Sequence, residues 1–537
     1  MTNVRDPQSM FTERTFSMTK PTFYLTTPIY YVNAEPHLGT AYTTIAADAL
    51  ARYRRMTGYD VMFLTGLDEH GQKIAQAAEA AGMDPQSWVD AIAPTFTKTW
   101  EMLEISNDDF IRTTQERHTL GVQAFWQELY DRGAVYQGRY EGWYCVPDET
   151  FWSQEDLVDG MCPQCGREVQ FVSEDNWFFR LSDYQERLLD FYEAREAAGA
   201  PFIQPETRRN EVVSFVRSGL KDLSISRTTF SWGIPLPFAP DHVTYVWIDA
   251  LLNYITALGY GSDDHSAFDR YWPADVQFVG KDIIRFHCVI WPAMLMAAGI
   301  EPPKSVFAHG FLLTKGEKMS KSKGNAQTPA SLVKKFGVDG YRYYFLRDVT
   351  FGQDGSISME SMVQRYNGDL ANDWGNLCSR LFNMTEKYLG GLTPPPPARE
   401  CETGADCTLR SIAGFLPEKY EAAMRRLDYA SALEATWDLI KEANRYIEAE
   451  APWNLAKQGD DTRLSAVLYN ALEAVRIAAL FTAPVMPGTS SAVWQRLGLG
   501  DIEEVDDVFT EAQWGRLPAG LGVRKGEPLF PRIYEED

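Results

Sequence analysis

The sequence predicts an α/β fold divided into two halves by an insertion and followed by an all-helical C-terminal domain. Three observations carry that reading. An apolar strand, a helical pattern and a second strand follow one another from Thr22 to Gly66, and the same order recurs from Asp275 to His309. Between these units lies a stretch rich in aromatics, turn residues and clustered cysteines. Beyond residue 366 the apolar positions recur at helical spacing almost to the end.

Taken in order, residues 1–20 are polar and aperiodic and read as a disordered N-terminal extension. Residues 21–127 form the first half. Thr22 to Thr27 is a buried strand, Leu38, Tyr42, Ile45, Ala49 and Tyr53 mark a helix that Gly58 stops, and Asp60 to Gly66 is a second strand. A strand–helix–strand unit is right-handed and parallel, and its ligand crevice lies at the carboxyl ends of the strands. His37 and the segment Asp68-Glu69-His70-Gly71 fall at that edge. Residues 128–232 read as the insertion. Residues 233–322 hold the second half, with a strand at Asp275–Val279, a helix from about Ile284 to Gly299 and a strand at Ser305–His309. A mixed linker, 323–366, precedes helices at Asp373–Tyr388, Thr408–Glu450 with a break near Leu427, and Arg463–Leu497, within a C-terminal domain spanning 367–537. Gly390-Gly391 and Pro394 to Pro397 mark a loop between them.

With 537 residues, 45% of them hydrophobic, the chain can bury more than one core. No apolar run approaches the ~18 residues that span a bilayer, so no membrane partner and a cytoplasmic location are expected. The seven cysteines are scattered apart from Cys145, Cys162 and Cys165, a pattern that argues against a disulfide framework and raises metal binding instead. A net charge of −23 counts against a surface that binds nucleic acid everywhere, yet leaves room for one local basic face.

Two short motifs stand at equivalent places. Pro36-His37-Leu38-Gly39-Thr40 follows the first strand, and Lys318-Met319-Ser320-Lys321-Ser322 follows the strand ending at His309, with Lys315 and Lys323 beside it. A histidine and glycine at a helix start can grip phosphates, and a lysine loop can neutralise a departing pyrophosphate. The pair resembles the H-x-G-H and K-M-S-K-S signatures of class I aminoacyl-tRNA synthetases. Thr40 stands where that signature often has a second histidine.

Further segments are similar to the methionyl branch of that family: Tyr245-Val246-Trp247-Ile248-Asp249-Ala250 and Gly280-Lys281-Asp282-Ile283-Ile284-Arg285-Phe286-His287. The resemblance implies a split Rossmann catalytic domain, a connective-peptide insertion and a C-terminal α-helical anticodon-binding bundle. It implies ATP-dependent activation of L-methionine to its adenylate and transfer to methionine tRNA, initiator and elongator, by a monomer, with ATP and Mg2+ as substrate. His37, Lys318 and Lys321 would be catalytic, with Gly39, Thr40, Gly280, Asp282 and Ser320 completing the ATP site. Ile29, Tyr31, Trp247, Ala250, Leu251, Tyr254, Phe286 and His287 would enclose the thioether, and Asp68 would take the ammonium. An insertion of about a hundred residues leaves no room for the editing domain that synthetases for branched aliphatic residues need, which favours methionine. The alternatives are another class I synthetase, such as the cysteinyl enzyme, or a nucleotidylyltransferase sharing H-x-G.

Within the insertion, Cys145-x-x-Asp148 and Cys162-Pro-Gln-Cys165 have the spacing of a zinc knuckle. Two readings stand: a structural Cys3Asp zinc site, or a relict knuckle without metal. In the helical domain, Asn376 and Arg380 are four apart and share a helix face. With Trp453 they resemble the family's anticodon site; the competing reading is a helix-capping or salt-bridged surface pair beside a core tryptophan.

Overall fold

The computed structural model describes residues 20–146, 150–163, 165–314, 317–318, 327–398 and 403–534. Its first strand, β1 (Thr22–Tyr31), leads through Pro36 into helix α1 (Leu38–Met56), and strand β2 (Asp60–Asp68) follows. All six strands of the main sheet are parallel, in the order Asp109–Arg112, β2, β1, Val276–Gly280, Val306–His309 and Ile203–Gln204. The two halves of the sheet thus meet where β1 pairs with Val276–Gly280, and their carboxyl ends share one edge. The outermost strand, Ile203–Gln204, comes from the 128–232 stretch.

β1 runs four residues past the predicted end at Thr27. Proline cannot donate to a ladder, so Pro28 would ordinarily close a strand. Here the pairing with β2 shifts register between Thr26 and Ile29, and the irregularity absorbs Pro28 before the ladder resumes at Ile29–Gly66. Ile29 and Tyr31 are thereby carried beyond the bulge to the sheet's edge.

The sheet separates two cores. Phe23 and Leu25 face one that runs from α1 into the C-terminal helices, through Tyr343, Trp374, Tyr420 and Leu468. Tyr24 and Leu64 face another with Leu251, Tyr254, Cys288 and Trp291, which extends beneath the insertion to Phe179 and Tyr192. The insertion carries a four-stranded antiparallel sheet in the order Thr150–Trp152, Val135–Cys145, Gln170–Phe179 and Leu223–Ser224.

Within 323–366, Pro329–Asp348 is a helix opened by a capping box on Thr328 and kinked at Gly337. The C-terminal domain contains helices Asn376–Leu389, Gly404–Met424, Tyr429–Glu450, Pro452–Gln458, Asp461–Thr482 and Pro487–Arg496, and Leu427 breaks the second pair as predicted, at φ 56°. Asp461–Thr482 corrects the reading that no segment is long and apolar enough to span a bilayer. By length and composition it qualifies, and 94% of its most apolar window is buried. It is a buried helix of the bundle, covered by neighbouring helices, and its buried polar residues are paired inside the protein: Arg476 with Glu473 at 2.7 Å and Asn470 with Asp406 at 3.0 Å.

Candidate active site, metal centre and anticodon face

His37 caps α1. Its backbone is extended (φ −106°, ψ 172°) and its Nδ1 accepts from the Thr40 N–H at 3.2 Å, so the ring stands over the first turn with an exposed outer edge. Thr40 is buried and serves the helix rather than the solvent edge: its carbonyl accepts from Thr44 Oγ1 at 3.0 Å and Tyr30 Oη at 3.3 Å. Across the sheet, Gly280 ends its strand and Asp282 is exposed in the turn that follows. A Cβ at Gly280 would lie 2.4 Å from Asp282 Oδ1, so any other residue there would push that carboxylate off the strand end. Lys318 sits on a two-residue strand antiparallel to Leu312–Thr314, opposite Leu313. Its side chain, Ser320 and Lys321 lie outside the described residues.

The predicted amino-acid pocket lies on the other face of the same edge. Trp247, Ala250, Leu251 and Tyr254 follow helical spacing on Val246–Thr256, so they form one stripe. Leu251 and Tyr254 belong to the second core, with Ile29, Tyr31, Trp247 and Phe286 packed against it. The indole of Trp247 stacks on Phe286 at 4.8 Å between ring centres. Tyr254 Oη lies 2.8 Å from His287 Nε2, and His287 Nδ1 lies 3.1 Å from the Ile283 carbonyl. A carbonyl only accepts, so Nδ1 carries the proton and Nε2 accepts from the phenol. Burial pushes His287 down to about 4, which keeps the ring neutral. Asp68, 2% exposed, ends β2 close enough to Tyr254 for its charge to push that phenol up, although burial of the phenol is the larger cause.

A network absent from the sequence reading anchors this pocket. The buried Asp249 carboxylate takes His70 Nδ1 at 2.6 Å on one oxygen and His118 Nε2 at 2.8 Å on the other, while His118 Nδ1 meets Thr256 Oγ1 at 2.7 Å. Burial alone would raise Asp249; the charge of His70 and the hydrogen bonds from both rings overcome it and hold the acid at about 2. His70 follows Asp68 by two residues, so the network ties the end of β2 to the helix bearing Trp247 and Tyr254. Asp249 and His70 stand inside the quoted segments, but His118 is 131 positions from Asp249 and carries no local signal.

Two family models match the chain: class I tRNA synthetases (M) over residues 23–173 and 168–382, and the anticodon-binding domain of methionyl tRNA ligase over 408–537. The methionine–tRNA ligase of Thermotoga maritima is 50% identical over 510 residues, 94% of this chain and 79% of that protein. The Streptomyces coelicolor ligase is 48% identical over 524 residues, covering 94% and 95%. The chain belongs to the methionyl-tRNA synthetase family. The Mycobacterium tuberculosis methionyl-tRNA synthetase in complex with methionyl-adenylate superposes with a TM-score of 0.90, at 46% identity, over 95% of this chain and all of that one. The chain is accordingly a methionine–tRNA ligase, and the cysteinyl and nucleotidylyltransferase alternatives fall away.

In this synthetase the insertion brings Cys145, Cys162 and Cys165 together, with their sulfurs all within 4.8 Å of one another. Cys145 and Cys165 Sγ are 3.5 Å apart, too far for a disulfide and close to the spacing of two thiolates on one tetrahedral ion. Cys162 N–H donates to the Arg167 carbonyl and Gly166 N–H to the Cys162 carbonyl, both at 2.9 Å, which forms the turn that aims Cys162 and Cys165 inward. Three convergent thiols fit zinc; Asp148 lies outside the described residues.

The three anticodon candidates also converge. Exposed Asn376 opens its helix, Arg380 lies one turn on, and the Arg380 guanidinium is 5.9 Å from the Trp453 ring centre. Arg380 Nη2 also pairs with Glu448 Oε1 at 2.6 Å, so the guanidinium bridges two helices. Ala451, at φ 44°, both ends one helix and begins the next, and that bend turns the half-buried Trp453 toward Arg380.

Proposed function

We propose that this synthetase activates L-methionine at the shared sheet edge, with a role for each of the residues assembled there. Asp68 holds the ammonium. The Trp247–Phe286 stack and the Tyr254–His287 pair enclose the thioether, a soft sulfur suited to aromatic edges and to a neutral imidazole. The methionine carboxylate then attacks the α-phosphate of ATP in line. Asp282 holds the ribose hydroxyls, and the exposed edge of His37 donates to phosphate oxygens as charge develops on them. Lys318 and Lys321 neutralise the leaving pyrophosphate, a load that Mg2+ shares. The adenylate passes its methionyl group to the 3′ end of methionine tRNA, whose anticodon meets Asn376, Arg380 and Trp453. Zinc on Cys145, Cys162 and Cys165 is structural, because all three thiols belong to the insertion and not to the adenylate edge. The same reading takes the enzyme to act as a monomer in the cytoplasm.

The observation that carries the reading is the hydrogen bond fixing a neutral His287 against Tyr254, beside the Trp247–Phe286 stack and at the same edge as His37 and Asp282. Methionine-dependent exchange of pyrophosphate into ATP tests it. His37→Ala should slow that exchange by about 100-fold, the effect of losing one donor to a developing oxyanion, with a melting temperature within a few degrees of wild type. Near-normal exchange would refute the phosphate-site assignment.

A further inference from the structure

Lys281 lies between Gly280 and Asp282, yet its ammonium points away from the strand end. Its Nζ pairs with Asp354 Oδ2 at 2.7 Å and sits 4.5 Å from the centre of the Phe311 ring. The other oxygen of Asp354 accepts the Phe311 backbone N–H at 2.8 Å. Asp354 comes immediately before Gly355–Ile357, the strand that pairs in parallel with Leu312–Thr314, and Leu312–Thr314 pairs in turn with Glu317–Lys318.

Three backbone segments therefore meet at one carboxylate. The turn after Gly280 arrives through Lys281. The chain leaving the main sheet arrives through Phe311, two residues after His309, which is the register partner of Gly280. The third segment is Gln353-Asp354 itself. It is pressed so closely on Gly310 that a Cβ there would lie 2.3 Å from the Gln353 carbonyl carbon and 2.4 Å from the Asp354 nitrogen. With no side chain at 310 to hold the turn off, the two backbones meet directly, Gly355 N–H donates to the Phe311 carbonyl at 2.9 Å, and the Lys281–Asp354 pair ties both to the turn after Gly280.

We propose that Lys281 and Asp354 are a positioning pair that fixes the root of the lysine-bearing hairpin against the turn presenting Asp282. The inference rests on the reading of Asp282 and Lys318 as ATP-site groups. A carboxylate bridging an ammonium and a backbone N–H holds both the spacing and the direction of the hairpin strand. The pair is partly exposed, with Lys281 at 22% and Asp354 at 38%, so it adds little to folding. Its consequence is geometric: a small displacement of charged groups from a phosphoryl site costs rate steeply.

The test uses the full-length chain with Lys281→Met, Asp354→Asn, the double variant and Lys281→Arg. Asparagine keeps an oxygen for the Phe311 N–H and removes only the charge. Two readouts are taken: hydrogen exchange of the backbone amides from Phe311 to Lys318, and methionine-dependent pyrophosphate exchange. Each single variant should exchange the Phe311–Thr314 amides faster and lose about tenfold in kcat, with the KM for methionine unchanged. The double variant should be no worse than the poorer single, and Lys281→Arg should recover most of the loss. The pair is refuted if Lys281→Met is slow while Asp354→Asn is normal in both readouts, which would place Lys281 on the nucleotide directly. Losses that multiply in the double variant, or unchanged amide protection, refute it equally. A wild-type chain without exchange activity would count against the ATP-site reading, and the amide protection would still decide the pair.

Discussion

His287 shows how one side chain gains a function from its surroundings. Burial pushes it from 6.5 to about 4, so the folded chain binds fewer protons there than the unfolded chain across that window. Its stabilising contribution is complete above about pH 6.5 and is lost as pH falls toward 4, a loss of about 3 kcal/mol from this group. Asp48 and Asp249, held at about 2, act in the opposite way to a raised acid: their contribution persists down to about 3.8 and fades below it, outside the histidine window. Buried His309 is also pushed down and remains in any variant of His287. His287→Gln can still donate to the Ile283 carbonyl and accept from Tyr254. Its melting temperature should therefore fall less steeply than wild type between pH 6.5 and 4, as scanning calorimetry would show; parallel curves would mean that His287 is charged in the folded state. The sequence singled out residues where a motif held them, as for His37, Trp247 and His287, and the structure places those three at the sheet edge. His118, the partner that fixes Asp249, was not singled out, because a hydrogen bond across 131 residues leaves no periodic trace.

The knuckle is a small element whose stability rests on its ligands. Cys145 is buried at the end of a strand and Cys162 is buried in the loop that leads to Gln170–Phe179, while Phe171 on that sheet is 59% exposed. Such an element lacks apolar cover, and metal binding would supply the missing free energy. Purified protein should contain about one zinc per chain, and Cys162→Ser should release it and make the stretch around Val135–Phe179 sensitive to protease while pyrophosphate exchange continues. Elemental analysis of chelator-free protein that finds no zinc would support the relict reading. Elements were legible where their periodicity was uninterrupted, as in α1 and the long C-terminal helices. The helix Pro329–Asp348 was hidden because Gly337, at φ 71° and ψ 167°, breaks its period in the middle. The π-helical turns at Phe286–Ile290 and Tyr366–Gly375 were equally invisible, since an extra residue per turn shifts the apolar stripe without changing composition. Both lie at or beside proposed binding residues, His287 in one case and Asn376 in the other.

At the scale of the whole molecule, the catalytic and helical parts are joined through the back of α1, whose front end His37 caps. Tyr429 Oη donates to the Ala46 carbonyl at 2.7 Å, Tyr53 donates to Glu421, and buried Arg342 binds Asp48 at 2.5 Å together with the Val485 carbonyl at 2.8 Å. These contacts hold the helical domain as a firm platform, so its outer face can be altered without moving the adenylate site. That separation gives the anticodon assignment a clean test. An amide and a guanidinium can pair with the edges of unstacked bases, and the Trp453 indole can stack on one. Arg380 is held between Glu448 and Trp453 on the protein's own surface, which orders its guanidinium at the proposed contact before tRNA arrives. Trp453→Ala and Arg380→Ala should therefore leave tRNA-independent pyrophosphate exchange near wild type while lowering the charging of methionine tRNA by at least about tenfold, the loss of one stacked or hydrogen-bonded base. Equal losses in the two assays would mean that the substitution damages the fold through the Arg342 and Tyr429 contacts. Undiminished charging would move anticodon recognition to another face and return Arg380 to the role of a surface ion pair.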